Sequence, residues 1–183
     1  MRFFTLVFFA LFGLLAEAHA NCEAMAKAPW ASAKKYDFTL EAHAVGPDCA
    51  KSAVVLLVLD NKGVVQWSTT RLAYQNAMFQ EGATDNATMK AALAAWLSQG
   101  LETKPRTAKD LPEWKVGKDQ AEQDGDGEFG FFAGNEVSPD FYRSVREENQ
   151  PLFCFVQGIE STSCIAAAGP QSIYEIGGFT FPG

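Results

Sequence analysis

His43 is the only histidine after the first twenty residues, so any serine-hydrolase triad or zinc site would depend on it. It lies in the stretch 36–44, where even positions are apolar and odd positions are polar, which predicts a strand with one buried face. His43 then shares the polar face with Asp37, Thr39 and Glu41. No serine lies in a G-x-S-x-G turn, and all four cysteines are expected in disulfides. We therefore interpret His43 as a solvated strand residue and predict no catalytic residue.

The acidic run 122–129 places carboxylates at alternate positions, as the start of a calcium-binding loop does. In an EF-hand alignment, Asp124 and Asp126 stand at positions 3 and 5, and a glycine follows at position 6. Position 12 would need a bidentate glutamate, and Ala133 stands there. The pattern therefore favours a solvated acidic turn, with Asp124, Asp126 and Glu128 as candidate ligands of another type of calcium site. The sequence has no other metal motif and no cofactor motif.

A pair of carboxylates could also hydrolyse a glycan, one as the acid and the other as nucleophile or base. The acids available for such a pair include Glu128, Glu136, Glu160 and Glu175, and Glu175 has an apolar neighbour on each side. Sequence spacing assigns no partner to any of them. A carboxylate-dependent hydrolase acting on envelope glycan therefore stays open as the alternative to a non-catalytic binding protein.

Trp114 is the largest apolar side chain of the polar segment 102–127, which also contains Pro105 and Pro112. A loop of this length is uncommon in a compact domain, and such loops are often functional or disordered. Trp114 could anchor a partner, because tryptophan is enriched among the residues that dominate binding at protein interfaces. It could equally hold the segment against the domain. We expect the segment to be the least rigid part of the chain and the place where a partner engages, with Trp114 as the candidate binding residue.

The four cysteines, Cys22, Cys49, Cys154 and Cys164, are expected to form two disulfides in an oxidising compartment. Two short apolar strands flank a turn at 158–160, and a three-residue loop there places Cys154 directly opposite Cys164. Facing residues in a non-hydrogen-bonded pair are close enough for a disulfide. The remaining pair, Cys22–Cys49, would tie a loose amino terminus to the end of the first predicted strand. The clustered spacing of zinc ligands is absent.

Apolar periodicity predicts the elements that position these residues. The run 53–59 is apolar throughout and predicts a strand buried on both faces, joined by the turn residues 60–63 to the next strand. One helix is predicted over 87–97 with Gly100 at its carboxyl-terminal end, and a second begins at the cap residue Ser138. Further strands are predicted over 64–69, 152–157, 162–168 and about 173–181. Together they indicate one α+β domain over 21–183, mainly an antiparallel sheet with two helices, cross-linked by two disulfides.

Residues 1–20 have the features of a cleaved export signal. A basic start precedes the apolar run 3–15, and Ala18 and Ala20 occupy the −3 and −1 positions of a cleavage site. The run is too short to span a bilayer, so we expect no membrane insertion after cleavage. The mature chain is expected to begin near Asn21 and to be periplasmic or extracellular.

The chain is acidic, with a formal net charge of −7 and no lysine- or arginine-rich cluster. Such a protein is not suited to nucleic acid, whose binding depends mainly on neutralising phosphates. Its acidity favours a basic protein as partner. We therefore predict a non-catalytic binding or inhibitor-type domain that acts on a cell-envelope protein or ligand, with a basic envelope protein as the expected partner.

Overall fold

The computed structural model describes residues 21–31, 37–102, 104–115, 121 and 130–180. These residues form two four-stranded antiparallel sheets and three α-helices, which confirms the predicted α+β class. The first sheet has the strand order β1-β2-β3-β4 and the second has the order β5-β8-β7-β6. In chain order the elements are β1 Cys22–Ala31, β2 Asp37–Gly46, β3 Ala53–Leu59, β4 Val65–Leu72, α1 Ala77–Gln80, α2 Asn86–Glu102, β5 Gly130–Ala133, α3 Pro139–Glu147, β6 Leu152–Val156, β7 Ser161–Gly169 and β8 Ser172–Thr180.

The first sheet is a meander in which each strand pairs with its neighbour in sequence. In β2 the predicted alternation is confirmed, since Phe38 and Leu40 are buried and the odd positions are more exposed. β3 alternates as well, with Val54, Leu56 and Val58 buried and the odd positions only partly buried. The prediction that β3 is buried on both faces was wrong, because the apolar cluster of this sheet lies on its even-numbered face.

β1 forms the edge of the first sheet and was not predicted from the sequence. Its first residue is joined by the Cys22–Cys49 disulfide to a short 3₁₀ turn after β2. The side-chain amide of Asn86 also holds this end, accepting from the Glu23 amide at 2.7 Å and donating to the Asn21 carbonyl at 3.2 Å. The amino-terminal residues are therefore tied down near the end of β2, as predicted for this disulfide.

Helix α2 packs on β1 and β2 and also reaches β6. Its amino-terminal end is capped by Asp85, whose carboxylate accepts from the amide of Thr88 at 2.8 Å. The indole of Trp96 donates to the carbonyl of Val156 at 2.8 Å, which ties the helix to the second sheet. Its buried face consists of Met89, Leu93, Trp96, Leu97 and Gly100. Neither α2 nor any other described helix is long and apolar enough to span a membrane.

Gly100 does not end α2, contrary to the prediction, because the helix continues to Glu102. Gly100 is buried, and a Cβ atom there would lie 2.5 Å from Cε2 of Phe153 and 2.8 Å from the carbonyl oxygen of Cys154. The glycine therefore serves close packing between α2 and β6 rather than a change of backbone direction.

The β6–β7 hairpin has the predicted three-residue loop, since the amide of Gln157 donates to the carbonyl of Ser161 at 3.0 Å. Cys154 faces Cys164 across this hairpin. Both predicted disulfides, Cys22–Cys49 and Cys154–Cys164, are confirmed.

β6 is buried on both faces and lies between two apolar clusters. Phe153 and Phe155 belong to the cluster that includes α2. Leu152 and Cys154 belong to a second cluster that includes the inner face of α3. The second sheet is therefore the layer that separates α2 from α3.

Candidate functional site

Helix α3 covers the second cluster and turns its polar face outwards. It begins as predicted at Ser138, whose hydroxyl accepts from the amide of Phe141 at 3.2 Å. Tyr142 and Val145 are buried on its inner face. Arg143 lies on the outer face, with 44% of its side chain exposed. The helix thus holds charged side chains in fixed positions above a packed core.

Residues 104–115 lie along the second cluster and are hydrogen-bonded to the chain after α3. Ala108 and Leu111 are buried, and the amide of Ala108 donates to the carbonyl of Gln150 at 2.8 Å. In this part Ala108 and Leu111 are covered and the backbone is hydrogen-bonded to the rest of the domain, while the expected low rigidity of the segment stays a prediction. The rest of the predicted loop, apart from residue 121 and the helical end at 102, lies outside the described residues.

Trp114 is half-buried and packs edge-on against Tyr142, with ring centroids 5.6 Å apart and an interplanar angle of 73°. The Tyr142 hydroxyl donates to the carbonyl of Pro112 at 2.7 Å, and burial raises the pKa of this phenol, so it stays a neutral donor. Trp114 lines an open cleft of about 380 Å³, which we call the Trp114 cleft. Its lining residues are Lys109, Glu113, Trp114, Arg143, Arg146 and Glu147.

The two arginines of this cleft are held by contacts with their surroundings. Arg146 donates through Nε to the carbonyl of Leu111 at 3.1 Å, and its Nη1 lies 3.9 Å from a carboxylate oxygen of Glu113. Arg143 forms an ion pair with Asp140 one turn earlier in α3. The cleft therefore combines an aromatic ring with charges of both signs in defined positions.

Comparison with known protein families, with curated proteins and with solved structures finds no match to this chain. A fold alone does not determine function, which resides in particular sites. The side chains around α3 and residues 104–115, together called the α3 surface, are therefore the observations from which function can be inferred.

His43 lies on the polar face of β2, as predicted, and not at the α3 surface. Its Nε2 lies 3.0 Å from Oε2 of Glu41, and the other oxygen of that carboxylate accepts from Nζ of Lys27 at 2.5 Å. Lys27 pairs with Glu41 across β1 and β2, so the three side chains form a row on one sheet face. The described residues contain no group of three or more His, Cys, Asp or Glu side chains that could hold a metal ion.

Of the acids singled out from the sequence, the three in the described residues do not line the Trp114 cleft. Glu136 and Glu160 are exposed in turns, and Glu175 accepts from the buried hydroxyl of Ser163 at 2.8 Å. The candidate calcium ligands Asp124, Asp126 and Glu128 all lie outside the described residues. Nothing in the described geometry favours the hydrolase alternative.

The sequence singled out Trp114 as a candidate binding residue but not the arginines that line the same cleft. Arg143 and Arg146 stand three apart on the predicted second helix, so they lie on one helix face. This spacing was the one feature of the sequence that could have indicated a shared position for the two arginines. Their contact with residues 109–114 comes from chain segments about thirty residues apart, which no local pattern indicates.

Proposed function

We propose that this chain is a non-catalytic binding domain of the inhibitor type, whose target is a protein of the cell envelope. Trp114 is the main observation in support: it is half-buried, fixed against Tyr142 and adjacent to Arg143 and Arg146. Tryptophan, tyrosine and arginine are the residues most enriched among those that dominate protein–protein binding. Because Trp114 is held in place before binding, little side-chain entropy is lost when a partner packs on it.

The charge and the disulfides support the rest of this proposal. A net charge of −7 attracts a basic partner and speeds its association, with the mixed charges of the Trp114 cleft fixing the orientation. Two disulfides are typical of proteins that fold in an oxidising compartment. We therefore propose that residues 1–20 are removed on export and that the mature protein, beginning near Asn21, acts in the periplasm or outside the cell.

The first test is affinity capture from an envelope fraction of the source organism, with residues 21–183 as bait. We expect a basic protein to co-purify with the wild-type bait. Trp114→Ala should weaken its binding by about 30-fold, the effect of losing one dominant interface residue. Tyr74→Ala is the matched control, because Tyr74 is also a large aromatic residue, is 51% exposed and lies outside the α3 surface.

Thermal unfolding of each bait separates binding from folding. The proposal fails if Trp114→Ala leaves capture unchanged. It also fails if Trp114→Ala and Tyr74→Ala weaken capture equally. A large loss of stability in Trp114→Ala, with no loss of capture, would show that Trp114 only holds residues 104–115 in place.

A further inference from the structure

A second cleft lies along α3, between the helix and the β7–β8 hairpin. It has a volume of about 240 Å³, and we call it the Tyr174 cleft. The residues that matter here are Phe141, Ser144, Glu148, Gln150, Ser172 and Tyr174, all of which line it. In the part of the chain that the structure describes, no residue lines both this cleft and the Trp114 cleft, so the two are separate clefts on one helix.

One wall of the Tyr174 cleft is aromatic. Phe141 and Tyr174 pack edge-on, with centroids 5.0 Å apart and an interplanar angle of 71°. Tyr174 is 46% exposed although its ring is fixed by this contact. The face of an aromatic ring attracts cations, whether lysine ammonium or arginine guanidinium groups.

The acceptor that the cleft presents is a carboxylate oriented by a buried amide. Gln150 is 2% exposed, and its Nε2 donates to Oε2 of Glu148 at 2.5 Å. This bond orients the exposed Glu148 carboxylate at the cleft, while Oε1 of Gln150 accepts no hydrogen bond from the described residues. That oxygen is itself buried, so the acceptor that the cleft offers to a ligand is the exposed Glu148 carboxylate.

The charge of the lining has one sign. Among the described residues, Glu148 is the only ionised side chain that lines the Tyr174 cleft, whereas the cations of α3, Arg143 and Arg146, line the Trp114 cleft. A carboxylate beside an exposed aromatic ring recognises a positively charged hydrogen-bond donor.

We propose that the Tyr174 cleft binds the ε-ammonium group of a lysine side chain of the protein partner. The assignment to a protein partner rests on the proposed function above. An ammonium fits better than a guanidinium, because one oxygen of Glu148 already accepts from Gln150 and bidentate pairing is obstructed. An ammonium can instead donate a single N–H to the other oxygen of Glu148, with its four-carbon stem along Phe141 and Tyr174.

The test uses Nα-acetyl-lysine N-methylamide as the probe, titrated into the isotope-labelled mature protein and followed by NMR. We expect shifts centred on Tyr174, Glu148 and Gln150, with a Kd on the order of 1 mM for a ligand of this size. The Nε-acetylated probe, which has no charge, should bind at least about tenfold more weakly.

The matched pair of variants is Glu148→Gln and Glu147→Gln. Both remove one negative charge from adjacent exposed residues, but Glu147 lines the Trp114 cleft instead. Glu148→Gln should weaken probe binding by about tenfold, and Glu147→Gln should change it less than twofold. Tyr174→Leu should also weaken binding, because it removes the ring but keeps an apolar side chain.

Absence of probe binding, or equal loss in both glutamine variants, would overturn the ammonium site whatever the capture experiment shows. If the probe binds as expected, Glu148→Gln bait should recover at least about fivefold less of the captured partner than bait with Glu23→Gln, an exposed carboxylate on β1 that lines neither cleft. Equal recovery would overturn the assignment to a partner lysine and identify a free amine as the ligand. If no partner is captured at all, the proposed function fails while the probe titration still decides the ammonium site.

Discussion

Glu41 shows how a single carboxylate joins the polar face of the first sheet. It accepts from Lys27 on β1 and lies within hydrogen-bond distance of His43, two residues further along β2. The hydrogen bond from Lys27 is the main reason why the pKa of Glu41 lies below its ordinary value of 4.5. Burial acts in the opposite direction and raises this pKa, whereas the contact with His43 lowers it further. The ionised form is therefore favoured by folding.

This lowered pKa predicts an acid-dependent loss of stability. Because the folded-state pKa lies below 4.5, the contribution of Glu41 is complete above that pH and disappears as the pH falls through the lowered value. Glu41→Gln should lower the free energy of unfolding by up to about 1 kcal/mol at pH 7, and this difference should shrink as the pH falls below 4.5 through the lowered pKa. Urea denaturation between pH 7 and pH 3 measures it.

Glu23→Gln is the control for Glu41→Gln, since Glu23 is an exposed carboxylate at the far end of β1. It should change stability by less than about 0.5 kcal/mol. A difference between Glu41→Gln and wild type that persists unchanged at pH 3 would show that packing, and not the charge, is responsible.

At the scale of elements, Gly100 sets the distance between α2 and β6. Alanine is favoured over glycine in a helix interior by about 1 kcal/mol, so propensity alone predicts that Gly100→Ala stabilises. Its Cβ would however lie 2.5 Å from the Phe153 ring and 2.8 Å from a backbone carbonyl oxygen. We therefore expect Gly100→Ala to lower the free energy of unfolding by about 1–3 kcal/mol.

Chemical denaturation tests this, with Gln99→Ala as the control at the preceding, exposed helix position. Gln99→Ala should leave stability within about 0.5 kcal/mol of wild type. If Gly100→Ala instead stabilises the protein, the approach of α2 to β6 is less close than described.

The elements that could be predicted from the sequence are those with a clear apolar periodicity or with recognisable turn residues. β2, the hairpin after β3, α3 and the β6–β7 hairpin all have strong alternation, capping residues or turn residues. β1 was not predicted because two of its buried positions are Ala24 and Ala26, and alanine is depleted in strands. It also contains Pro29, which argues against a strand. β5 has only four residues, too few for a period to be recognised.

The two disulfides offer a prediction for the molecule as a whole. Cys22–Cys49 spans 27 residues and Cys154–Cys164 spans 10, so the first restricts the unfolded chain more. Chain-entropy estimates give about 3.6 kcal/mol for the first disulfide and about 2.8 kcal/mol for the second. Replacing both cysteines of each pair by alanine should therefore cost more stability for Cys22–Cys49, as measured by urea denaturation. The opposite order would show that native packing around the β6–β7 hairpin outweighs chain entropy.

Site assembly, unlike the hairpins, depends on contacts between distant segments. Trp114 was singled out by its residue type alone. The Tyr174 cleft could not be predicted in this way, because it forms where α3 and the residues just after it meet β8. Tyr174 is one of several aromatic residues on predicted strands, and Glu148 is one of many acids. Only their three-dimensional placement beside the buried amide of Gln150 distinguishes them.

The position of β6 between two apolar clusters also has a consequence for synthesis. The indole of Trp96 donates to a carbonyl 60 residues further along the chain. A ribosome adds about 5–20 residues per second, so this partner follows Trp96 by about 3–12 s. During that interval β6 has not been synthesised, so the apolar side chains of α2 that will pack against Phe153 and Phe155 stay uncovered. A chaperone that shields nascent chains would therefore find its binding segment in α2, and would be displaced as β6 emerges.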